Sequence, residues 1–185
     1  HYRFFLDNQK VTWNDMIRGE CSIETKNISD PIVVREDGRF IYTLASVIDD
    51  IDYNVTHVIR GEDHVTNSAI QIKIFNALNS KFPKMGHLSL MTDIDGGGLS
   101  KRIGSLSIID LKEKHIHPQV LNSYLAKIGS SENIELHDSI DDLINGFEIS
   151  KFNRTPTKFD LQMLKNLNKK FFHKIDYKEI ANKIS

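Results

Sequence analysis

Val55-Thr56-His57-Val58-Ile59-Arg60-Gly61-Glu62-Asp63-His64 is the stretch on which the fold of this chain turns. It begins as a compact apolar run and closes on polar, ionisable residues, the pattern of a buried strand that ends at a functional edge. Immediately downstream, Ile70, Ile74, Ala77 and Leu78 recur at helical spacing within Asn67 to Leu78, and Phe82-Pro83 then leads into a second short strand, His87 to Met91. Strand, helix, strand in that order predicts a parallel α/β unit, and ligands of such open sheets bind beyond the carboxyl ends of the strands. Arg60 suits bidentate capture of a carboxylate, and Glu62 or Asp63 suits a substrate ammonium. A metal centre of His57, Asp63 and His64 is weaker, because neighbours on a strand end point in different directions and no second ligand pair has metal-site spacing. The structural alternative is a strand-end salt bridge with a helix N-cap at Asp63 or Thr66.

Upstream, short β-prone runs alternate with turns: Tyr2 to Leu6, Glu20 to Thr25, Ile32 to Arg35 and Arg39 to Tyr42, the last pair joined through Glu36-Asp37-Gly38. The Asp-Gly step predicts a hairpin turn. Helical spacing from Thr43 to Ile51 follows, placing the Tyr42 hydroxyl and the carboxylates of Asp49 and Asp50 near the same edge. Consecutive helical residues do not converge on one atom, so Asp49 and Asp50 are expected as caps or salt-bridge partners. Trp13, Phe4, Phe5, Phe171 and Phe172 are expected in the core, and His115 and His117 as structural residues at a helix start.

Downstream, Asp93-Ile94-Asp95-Gly96-Gly97-Gly98 reads as a loop, since three successive glycines are costly inside a helix or strand. Leu99-Ser100-Lys101-Arg102 follows, two cations and a hydroxyl behind a glycine hinge, an arrangement suited to phosphate. It is not a Walker A loop, where Ser or Thr follows the lysine, and a plain basic surface turn is the alternative. Beyond it, helices are expected over Ile108 to Lys114, Pro118 to Ile128, Ser139 to Ile144, Phe159 to Asn168 and Tyr177 to Ile184, with Pro118 in a first turn.

Twenty-four Lys and Arg nearly balance 25 Asp and Glu over 185 residues, so the electrostatics must be local. Charge is segregated: residues 130–150 carry six acids and no Lys or Arg, whereas residues 151–185 carry nine Lys or Arg against three acids. A phosphate-contacting surface and an ordinary solvated helix face both fit that basic segment. An apolar content of 39% with four prolines argues for a folded chain. Cys21 is the sole cysteine, which excludes an internal disulfide or a paired-cysteine zinc site and points to a reducing cytoplasm. No apolar run reaches the ~20 residues of a membrane span.

The chain resembles the glutamyl-tRNA synthetases, class I aminoacyl-tRNA synthetases. The resemblance rests on Val11 through Glu20, Asp30 through Gly38, Tyr42 through Asp50, Val55 through His64, Leu99-Ser100-Lys101-Arg102 and Lys158-Phe159-Asp160-Leu161, with Leu164 and Leu167-Asn168 behind. It implies an α/β fold: residues 1–40 end a β-rich acceptor-binding insertion, 41–105 form the second half of a Rossmann-like catalytic fold, and 106–185 form a helical stem-contact region. It implies ATP-dependent activation of L-glutamate, with ATP and Mg²⁺ as substrate complex and no protein-bound zinc, then transfer to the 3′ end of tRNA for glutamate; tRNA for glutamine stays open as a second substrate. Leu99-Ser100-Lys101-Arg102 resembles the KMSKS loop. That implies Lys101 with Ser100 as catalytic residues, and Leu99, Ser100, Lys101, Arg102 and His64 as contacts to ATP or the adenylate. Tyr42, Arg60 and Asp63 are implied as the glutamate pocket. Gly98 stands where the first lysine of the motif is usual, a variation of the loop. No H-[IV]-G-[HT] sequence occurs and the anticodon-binding region that the family implies is not found, so an internal fragment of a cytoplasmic, monomeric enzyme is expected. Two alternatives stand beside it: a non-catalytic tRNA-binding module using the basic segment, and a glutamine-specific or tRNA-modifying relative.

Overall fold

The computed structural model describes residues 1–97 and 107–174. The chain divides into two compact units, His1–Ser89 and Leu90–Ser185.

In the first unit, β1 (Tyr2–Arg3) pairs antiparallel with β4 (Ile32–Val34), and β2 (Lys10–Asp15) with β3 (Gly19–Glu24), Trp13 facing Cys21. Along β2, Val11, Trp13 and Asp15 alternate inward, so a carboxylate occupies a position that strand periodicity reserves for an apolar side chain. The Asp37-Gly38 turn forms, with Gly38 at φ +80°, but the run after it contributes one bridge, Val34 to Phe40. The expected strand Arg39 to Tyr42 gives way to helix because the Ala45 N–H already donates to the Ile41 carbonyl, and α1 spans Tyr42–Asp52.

The parallel unit is present. Strand β5 (His57–Gly61) runs through a 3-10 turn, Glu62–His64, into α2 (Val65–Ala77), and β6 (Lys84–Leu88) pairs parallel with β5, Arg60 beside His87. The second strand begins earlier than expected, at the residue after Pro83, where the first available N–H, that of Lys84, donates to Thr56. Neither Asp63 nor Thr66 caps α2. His64 holds the N-cap position without a side-chain bond to the helix backbone, because the 3-10 turn feeds the helix through its backbone; its ring pairs with the Asn67 side chain at 3.2 Å. From Ser68 to Phe75 every residue of α2 but Lys73 is buried, as expected of a helix packed on all sides. Ala69 and Ile72 join Val11, Trp13 and Met85 in one cluster; Ile70, Ile74 and Phe75 join Val33 and Val47 in another.

In the second unit, β7 (Met91–Thr92) pairs parallel with β8 (Thr157–Lys158), a pairing absent from the all-helical expectation. Ser107 opens α3 (Ile108–Glu113) with a capping box through Asp110, and His117 opens α4 (Pro118–Lys127), its Nδ1 accepting from the Gln119 N–H. Helices α5 (Ile140–Asn145) and α6 (Leu161–Lys174) complete the unit around Leu111, Ile116, Val120, Tyr124, Phe159, Leu164 and Leu167. Two aromatic expectations are corrected. Phe5 is 74% exposed and Phe172 43%; Phe4 packs against the cluster of Val33 and Val47, and Phe171 against the core of the second unit, as expected. The expected helix Tyr177 to Ile184 lies outside the described residues.

Candidate functional site

Arg60 stands near the carboxyl end of β5, reached from two helices. Its Nη1 donates to the Tyr42 hydroxyl at 2.9 Å; its Nη2 donates to Ser68 Oγ at 2.6 Å and to Gln71 Oε1 at 2.5 Å. Tyr42 begins α1, whereas Ser68 and Gln71, three apart on α2, share one helix face. Gln71 is oriented in turn by donating to Ser46 Oγ at 2.6 Å, and Ser46 donates to the Tyr42 carbonyl at 2.7 Å. Each of these acceptors of the guanidinium is a neutral oxygen, and among the described residues the buried Arg60 Nε has no partner. Asp50, on α1, is close enough to feel this charge, yet burial dominates and raises its carboxyl above the usual value.

His64 and Tyr42 meet edge to face with ring centroids 5.7 Å apart. Asp63 is half-exposed beside them, its carboxylate 3.8 Å from His64 Nε2. Glu62, offered by the sequence as an alternative ammonium acceptor, is bound to Arg18 at 2.6 Å. Tyr42, Arg60, Asp63 and His64 are therefore brought to one edge. His57 is not: it begins β5 and bonds Thr56. Among the described residues no group of three or more His, Cys, Asp and Glu could hold a metal ion.

Behind Arg60 lies a layer that the sequence did not single out. Ser68 Oγ is 2.7 Å from His87 Nε2, and His87 Nδ1 is 2.6 Å from Asp15 Oδ2. Both side chains of the His87–Asp15 pair are fully buried. Asp15 Oδ1 accepts the N–H groups of Ile17, Arg18 and His87 at 3.0, 3.0 and 3.1 Å. Burial pushes the Asp15 carboxyl up, but the bonds from Arg18, His87 and Ile17 outweigh it and hold it below the usual 3.8. Burial likewise holds the His87 imidazole below the usual 6.5, against the pull of Asp15. A carboxylate in phase with Val11 and Trp13, and a histidine within the buried run Met85-Gly86-His87, were the available signals.

Of the glycine-rich loop, Asp93 through Gly97 is described. Asp93 closes it, its carboxylate accepting the Gly97 N–H at 2.6 Å, with Gly96 at φ +86°. Gly98, Leu99, Ser100, Lys101 and Arg102 lie outside the described residues. In the basic segment, Lys151 is drawn to Glu132 and Glu148 at 3.0 and 3.3 Å, which removes it from the set free to meet phosphate. No helix among the described residues is long and apolar enough to cross a membrane.

The fold is that of a class I synthetase catalytic domain. The chain belongs to the family of tRNA synthetases class I (E and Q), catalytic domain, whose model matches residues 2–166. Among curated relatives it is 49% identical over 178 residues to glutamate–tRNA ligase 1 of Maricaulis maris (strain MCS10), covering 96% of this chain and 40% of the relative. It is 47% identical over 186 residues to glutamate–tRNA ligase 1 of Ehrlichia ruminantium (strain Gardel), covering 100% and 42%. The chain thus spans well under half the length of these relatives. The crystal structure of glutamate-tRNA synthetase from Elizabethkingia anophelis superposes with a TM-score of 0.84 at 26% identity, over 95% of this chain and 39% of that one. A glutamate tRNA ligase from Elizabethkingia meningosepticum CCUG26117, in complex with its amino acid, gives 0.85 at the same identity and coverage.

Proposed function

We propose that this chain supplies the amino-acid pocket and the phosphate-facing loop of a cytoplasmic glutamate–tRNA ligase. The carrying observation is the Arg60 guanidinium held by Tyr42, Ser68 and Gln71 through neutral oxygens alone. A partly buried cation whose protein acceptors are uncharged keeps its attraction for an anion, and its planar fork fits a carboxylate. The side-chain carboxylate of glutamate is the matching group, and the names of the similar relatives support it. Asp63 faces the substrate ammonium, and His64 the adenylate. Held by its far end, glutamate keeps its α-carboxylate free to attack the α-phosphorus of ATP, with pyrophosphate leaving. The 3′-terminal hydroxyl of tRNA then attacks the acyl carbon and AMP leaves. ATP arrives with Mg²⁺ as its substrate complex, and Leu99, Ser100, Lys101 and Arg102 belong to its phosphates, Lys101 neutralising charge as the pyrophosphate departs. Residues 1–40 end the acceptor-binding insertion, 41–105 complete the catalytic half, and 106–185 contact the tRNA stem.

The test is ATP–pyrophosphate exchange by the full-length protein with glutamate and, separately, glutamine, each with and without tRNA. Exchange with glutamate alone is expected; exchange with glutamine alone, or with neither, overturns the proposal. Arg60→Ala is expected to raise the glutamate KM by ~2–4 kcal/mol equivalent, the cost of a substrate carboxylate left unpaired.

A further inference from the structure

We propose that Asp15, His87 and Ser68 form a buried relay that positions the Arg60 guanidinium, and so act as positioning residues for the anion it binds; the choice of anion rests on the function proposed above. The relay spans three strands and a helix: Asp15 on β2, His87 on β6, Ser68 on α2 and Arg60 on β5. One proton assignment satisfies every link. The Asp15 carboxylate can only accept, so His87 donates through Nδ1–H and its Nε2 is an acceptor. The Ser68 hydroxyl then donates to His87 Nε2 at 2.7 Å in preference to the His64 carbonyl at 3.2 Å, which leaves the lone pairs of Ser68 Oγ for Arg60 Nη2–H. The depressed pKa of His87 fits this neutral tautomer.

The order of groups is that of a hydrolytic Ser-His-Asp triad, but the surroundings rule out that chemistry. Ser68 has no exposed surface and His87 1%, so no acyl carbon reaches the hydroxyl, and the oxygen lone pair is engaged by Arg60. What remains is orientation. With the other tautomer, the bare Nδ1 lone pair of His87 would face the Asp15 carboxylate, and His87 Nε2–H and Arg60 Nη2–H would both donate to Ser68 Oγ, turning its hydrogen to the His64 carbonyl 3.2 Å away. The carboxylate at Asp15 thereby sets the direction of a hydrogen bond at Arg60, 45 residues further along the chain.

Two variants of the full-length protein test this. Ser68→Ala removes the last link and leaves the Asp15–His87 pair intact. Asp15→Asn frees His87 to reverse its tautomer. Each is expected to raise the glutamate KM about ten- to a hundredfold, the usual scale for groups that orient a binding residue, with kcat changed much less. The double variant is expected to match the more impaired single one, because both act through one bond. Nitrogen-15 spectra of the histidine rings are expected to show His87 as the Nδ1–H tautomer in the unsubstituted protein. An unchanged KM in Ser68→Ala, additive losses in the double variant, or an Nε2–H tautomer for His87 each overturns the relay. Should Asp15→Asn fail to fold, Ser68→Ala and the ring spectra still decide. If the tautomer is found and Ser68→Ala broadens the Arg60 guanidinium resonances, yet the unsubstituted protein shows no glutamate-dependent exchange, the relay stands and the glutamate proposal falls.

Discussion

Gly129 holds φ at +82°, and a β-carbon there would lie 2.6 Å from Thr157 Oγ1 on β8. Both the left-handed backbone and the contact reject a side chain, so Gly129→Ala is expected to lower stability by about 1–3 kcal/mol, read from the urea midpoint. The expectation fails if the midpoint does not move. At this scale the sequence was legible where charge breaks an apolar run: Arg60, Asp63 and His64 follow Val58-Ile59, and Tyr42 stands at the start of a helix. It was not legible where a polar residue hides in phase with its apolar neighbours. Asp15 follows Val11 and Trp13 on the inward face, and Ser68 and Gln71 are unremarkable types on a helix until the strand beside them brings Arg60. Their role comes from contacts across long sequence separations, which a linear pattern does not encode.

Tyr124 joins two elements. It is fully buried in α4, and its hydroxyl accepts the Asp160 N–H at 2.8 Å at the start of α6. Tyr124→Phe keeps the ring against Phe159 but strands a backbone donor; a loss of about 1–3 kcal/mol is expected, measured by thermal or urea unfolding, and an unchanged midpoint contradicts it. The helices α2, α3, α4 and α6 were readable from their period, and α4 also from Pro118 in its first turn. The two-residue strands β7 and β8 were not, since two residues have no period and only their pairing defines them. Strand β2 was hidden because Asn14-Asp15 ends it with turn-type residues, one of which points inward.

Across the whole molecule, depressed carboxyl and imidazole groups make stability a function of acidity. A group whose folded pKa lies below its unfolded value binds protons more readily when unfolded, so its contribution is present above the unfolded pKa and lost as pH falls. His87 therefore begins to cost stability as pH drops through 6.5, and Glu132, Asp7, Asp15 and Asp37 follow below 4.5 and 3.8. Asp50, raised by burial, works in the opposite sense at the low end. Urea midpoints are expected to fall in two stages between pH 7 and pH 3, and His87→Gln to remove the first; a single late stage in the unsubstituted protein contradicts this assignment. One helix ties that stability to the pocket. Ser68 and Gln71 on α2 alternate with Ala69, Ile70 and Ile72, which fill two separate cores. The same turns of helix thus carry both the packing that resists heat and the two side chains that grip Arg60, so a repacking of either core at Ala69, Ile70 or Ile72 acts on the scaffold of that grip as well.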